Sequence, residues 1–71
     1  MRLTPRQREI FLLRCDEGLC RTEVAARLGI AFDTVKELCR TAYRRNGLVS
    51  AEQVCYRLER PVPPQMRAEG V

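Results

Sequence analysis

Seventy-one residues with a formal charge of +4 and no histidine describe one small domain. A chain of this length buries only about 60% of the surface its unfolded form exposes, so its stability is marginal and a partner or cross-link has something to add. The longest apolar run, Ile10 to Leu13, is far below the ~18 residues of a membrane span, and no signal-peptide pattern is present, so the expectation is a cytoplasmic protein with no membrane partner. With no histidine, no phosphate-cradling glycine loop and no nucleophile beside a recognisable base, the common enzyme chemistries are disfavoured and no cofactor is expected.

Taken in order, Thr4 caps a first helix, Pro5 fills the first helical position where its missing N–H costs nothing, and Gln7 completes a T-x-x-Q capping box. The pattern predicts a helix over 5–17 that stops at Gly18, with Ile10, Phe11 and Leu13 covering the next two helices from behind. A second helix is predicted over 21–28. Cys20 stands at its cap position, where a thiol serves poorly, while Glu23 sits where a capping-box carboxylate belongs. A third spans 32–45 and ends at Asn46-Gly47. Ser50 then caps a fourth over 51–59, with Gln53 at the box position and Ala51, Val54, Cys55 and Leu58 as its stripe. Residues 61–71, with three prolines and no periodicity, read as a disordered tail. No strand pattern or internal repeat is present, and the fold class is therefore all-α: a small four-helix domain.

The second and third helices carry the most specific pattern. Val24, Ala25 and Leu28 form one stripe. Gly29 follows at the point where a left-handed residue lets the chain turn sharply. Ile30 plugs the corner, and Val35 and Leu38 supply the inward face of the next helix. Ala25 is small where that helix must pass closely. This is a helix-turn-helix, the motif that sets its second helix in the major groove of DNA.

Charge placement agrees. Residues 34–46 hold Lys36, Arg40, Arg44 and Arg45 against Glu37, a local excess of +3 out of the chain's +4. At 100° per residue Val35, Leu38, Cys39 and Ala42 share one arc of the third helix, and Lys36, Glu37, Arg40, Thr41 and Arg44 share the other, with Tyr43 at the boundary. Arg40 can present a planar fork to guanine and Glu37 can accept from cytosine, whereas Arg44 and Arg45 lie further from the end that enters the groove and suit phosphate. Arg21 and Thr22, opening the second helix, and Thr34 complete the expected DNA-binding set.

The four cysteines, Cys15, Cys20, Cys39 and Cys55, contain no C-x-x-C pair, which argues against a metal site; they are expected as free thiols acting as small buried hydrophobes. Cys20, at a helix start beside Arg21, is in the setting that makes a thiolate reactive.

The residues resemble the LuxR-type (GerE-like) DNA-binding domain over positions 3 to about 58: Leu3-Thr4-Pro5-Arg6, Gly18-Leu19, Glu23 to Ile30, Thr34-Val35-Lys36 and the helix from Ser50. That resemblance implies groove-facing roles for Lys36, Glu37 and Arg40, a phosphate contact at Thr34, and a dimer contact on the fourth helix, for which Val54, Cys55, Tyr56 and Leu58 are the candidates. The chain departs from the LuxR pattern at Cys20, Ala31, Leu38, Ala42 and Asn46. Its longer Pro5–Gly18 segment, the string PRQREIFLLR and Ala42 are similar instead to region four of bacterial sigma factors. The fourth helix favours the LuxR type. The expected function is a small stand-alone transcriptional regulator that binds double-stranded DNA as a homodimer; the alternative is an interaction module that engages RNA polymerase, a sigma factor or another regulatory protein.

Overall fold

The computed structural model describes residues 1–64, and every regular element in that part is helical: α1 (Pro5–Glu17), α2 (Arg21–Leu28), α3 (Phe32–Asn46) and α4 (Ala51–Arg57). The all-α fold class expected from the sequence is the observed one. At the start of α1 the Thr4 hydroxyl accepts the Gln7 N–H at 3.1 Å and the Gln7 side-chain oxygen accepts the Thr4 N–H at 2.9 Å. The same Gln7 side chain is buried, and its amide donates to the Leu38 carbonyl at 3.1 Å. One residue thus closes the helix end and ties α1 to the middle of α3.

The turn between α2 and α3 is built as the helix-turn-helix pattern requires. Gly29 takes φ 67° and closes α2 in the left-handed conformation, and the Ile30 N–H returns to the Ala25 carbonyl at 3.1 Å. Val24 and Ala25 are buried beneath the turn, while Ile30 and Leu28 are partly buried against the core. α2 packs on α3, and both rest on α1 through Ile10 and Phe11, which are fully enclosed. The Phe11 ring meets Tyr43 with centroids 5.8 Å apart and planes tilted by 53°, an arrangement that suits the quadrupoles of both rings.

Two helix ends differ from expectation. α3 runs one residue further, through Asn46, because that side chain has its own partners: it accepts the Arg2 N–H at 2.7 Å and donates to the carbonyls of Arg2 at 2.9 Å and Ala42 at 2.8 Å. The N-terminal segment is thereby fastened to the end of α3. α4 stops two residues early, at Arg57. Glu59 adopts a left-handed φ of 58°, the Arg60 N–H closes on the Cys55 carbonyl at 2.9 Å, and Arg60 then pairs with Asp16 at 3.5 Å. Of the tail expected from residue 61, Val62 packs against the core; residues 65–71 lie outside the described part.

The largest correction concerns the cysteines. Cys15 on α1 and Cys55 on α4 are joined in a disulfide across 40 positions of sequence, with Cα atoms 5.9 Å apart, so they are not the free thiols expected. Each lies on the inward face of its helix, and the packing of α4 on α1 sets them opposite one another. Cys39 is free and buried; Cys20 is free but exposed, not a buried hydrophobe.

Candidate nucleic-acid interface

The fold gives α3 two sides. Val35, Cys39 and Ala42 are buried and Leu38 is partly so, while Lys36, Glu37, Arg40, Arg44 and Arg45 are exposed and Thr41 is intermediate. The face is therefore continuous over more than two turns of helix and carries four cations against two carboxylates, Glu37 and the exposed first-turn Asp33. Burial raises the Cys39 thiol above its usual range, with Arg14 and Arg21 opposing the shift, so it stays protonated behind this face. Among the described residues, no group of three or more histidine, cysteine or acidic side chains is placed to hold a metal.

Arg21 and Thr22 are exposed at the opening of α2, and Thr34 is exposed in the first turn of α3. Glu23 accepts the Cys20 N–H at 2.9 Å; that bond holds its carboxyl below the usual range and provides the cap that the cysteine itself supplies poorly. Ala31 at the cap of α3 has no side-chain oxygen to offer, so no side-chain bond closes that end.

Which cations are already engaged decides which can meet a ligand. Arg6 pairs with Glu9 and Arg27 with Glu17, each at 3.0 Å. Arg40 lies 3.8 Å from Glu37, a loose contact between two side chains more than half exposed, worth only about 0–1 kcal/mol and easily exchanged. Among the described residues no carboxylate is within ion-pair distance of Arg21, Lys36, Arg44 or Arg45. Arg21 instead lies over the ring of Phe32, its guanidinium carbon 5.6 Å from the centroid. Phe32, the first residue of α3, is 40% exposed and was not among the residues expected to meet DNA. Nothing in hydrophobic periodicity distinguishes an apolar residue that starts a helix at the surface from one that seals its turn.

Residues 1–44 match the family described as sigma-70, region 4, which is more than half the chain and takes in α1, α2 and all but the last two residues of α3. The chain belongs to that family. No curated protein and no solved structure matches it. The match falls on the second of the two resemblances drawn from the sequence, and the features that carried that one, the long first helix and PRQREIFLLR, lie inside the matched residues. α4, which favoured the LuxR type, lies beyond them. Membership of that family implies a helix-turn-helix unit that serves DNA binding or a sigma-factor-like interaction.

The structure does not bring together the four residues expected to form a dimer surface. Val54 and Cys55 are buried within this chain's own core, Cys55 in the disulfide, because α4 must turn that stripe towards α1. Tyr56 is 64% exposed and Leu58 only partly so.

Proposed function

We propose that this region 4 domain binds duplex DNA with α3 in the major groove. Lys36, Glu37 and Arg40 read base edges; Arg44, Arg45, Thr34, Thr41 and the α2 residues Arg21 and Thr22 contact the backbone. The observation that carries the reading is the exposed face of α3, where Lys36, Arg44 and Arg45 stand without a carboxylate partner among the described residues and Arg40 has only a loose one. Guanidinium forks suit guanine and phosphate oxygens alike, and position along the helix divides the two roles. Selection of duplexes from a random pool, followed by two variants, tests it. Arg40→Ala should cost about 1–3 kcal/mol on the preferred site and relax the choice there. Arg44→Ala should weaken binding to all duplexes alike and lessen the salt slope by about one unit. Unchanged binding by both variants at low and moderate salt refutes the reading.

The domain acts as a monomer in this proposal. Tyr56 with the edge of Leu58 is much less than the ~800 Å² per partner that a stable interface takes up.

A second reading, contact with RNA polymerase or another regulator, is supported by a groove of about 390 Å³ along α1. Leu12, Leu13 and Pro5 line it together with Arg8, Glu9, Asp16 and Glu17, and none of its lining residues belongs to α2 or α3. An apolar floor with charged sides of both signs suits a partner helix. Because the two surfaces are separate, one molecule can use both.

A further inference from the structure

We propose that Phe32 reads a thymine methyl group in the DNA, with Arg21 as the residue that holds its ring in place and contacts the adjoining phosphate. The inference rests on the DNA-binding reading above and names a specificity residue that the charge pattern does not reveal.

Three observations carry it. Phe32 is a large apolar side chain that stays 40% exposed at a corner where Leu28 and Ile30 pack against the core. It stands at the first position of α3, one helical turn ahead of Lys36 and so at the end of the basic face that leads into a groove. Finally, the Arg21 guanidinium lies over the ring at 5.6 Å, joining the first residue of α2 to the first residue of α3. A cation over a ring restrains both side chains, and a guanidinium placed there still has N–H groups to offer an anion.

The chemistry selects the base. In the major groove thymine presents a C5 methyl group that the other three bases lack, and apolar side chains read it by contact. The phenyl ring supplies the apolar surface. The phosphate next to that base then falls to Arg21, for which no carboxylate competes among the described residues.

The test uses the tightest duplex recovered from a random pool, with each thymine replaced singly by deoxyuridine, which removes the methyl group and keeps the pairing. For the parent protein, one or two of these replacements should weaken binding about three- to tenfold, the value of a buried methyl or two. Phe32→Ala should bind the thymine and deoxyuridine duplexes alike, and Phe32→Leu should keep part of the difference. Arg21→Ala should weaken both forms and reduce the discrimination. Thermal melts of each variant verify that it remains folded, as expected for exposed positions. The proposal is overturned if no deoxyuridine duplex differs from its parent by more than twofold, or if the difference persists in Phe32→Ala; DNA binding itself then stands. If no duplex is bound at all, the broader reading and this one fall together.

Discussion

Gly29 shows how one residue sets the angle between two helices. Its φ of 67° suits glycine, yet a Cβ built there has nothing within 4 Å. The strain of substitution is therefore confined to the backbone, and the severe loss that the turn pattern suggests for valine is moderated by open space. Gly29→Ala should cost about 1 kcal/mol and Gly29→Val about 2 kcal/mol or more, because a β-branched side chain tolerates positive φ least. Urea titrations of the three proteins measure the difference, and a valine variant as stable as the parent would contradict the left-handed assignment. Gln7 and Asn46 teach a related lesson. Both were legible as local signals, a capping box and a helix end, and both also make long-range bonds, to Leu38 and to Arg2, that local spacing does not encode.

Among the elements, α2 depends on a carboxylate at its third position because its cap residue is a cysteine. The Cys20 N–H lowers the Glu23 pKa from its usual 4.5 in the folded state, so the bond contributes stability above about pH 4.5 and loses it as pH falls through the lowered value. Stability curves for the parent and Glu23→Gln should diverge most at neutral pH and converge on acidification; a constant gap at all pH values would show that ionisation plays no part. The join between α1 and α4 depends on the disulfide. Closing a 40-residue loop takes about 4 kcal/mol of chain entropy from the unfolded state, a large share for a domain with so few core residues. Reductant should lower the unfolding free energy by up to that amount, and Cys15→Ala with Cys55→Ala together should abolish the response to reductant. A parent protein equally stable with and without reductant would mean that α4 is held by packing alone.

Across the whole molecule, the positive excess is not spread evenly but concentrated on one side of α3, with Arg21 nearby. If Arg21, Arg44 and Arg45 each neutralise a phosphate, the logarithm of the binding constant should fall with the logarithm of salt concentration at a slope of about −3. A slope near zero would assign those cations to solvent. Sedimentation should find a monomer at micromolar concentration, since most of the α4 stripe is occupied in the domain's own core. A dimer that persists in Tyr56→Asp would require a different surface.

The amino-acid sequence by itself determined the helices and their caps, the turn at Gly29 and the two-sided character of α3. These arise from contacts and conformations within a few residues, where periodicity, proline and glycine act directly. It also contained the family in PRQREIFLLR and the long first helix, although α4 drew the reading elsewhere. Only the tertiary structure decided which stripe of α4 is spent on α1, that Cys15 meets Cys55, and that Arg21 covers Phe32. Each of these depends on how helices distant in sequence are set against each other, and side-chain spacing along one helix says which face is apolar without saying what will cover it.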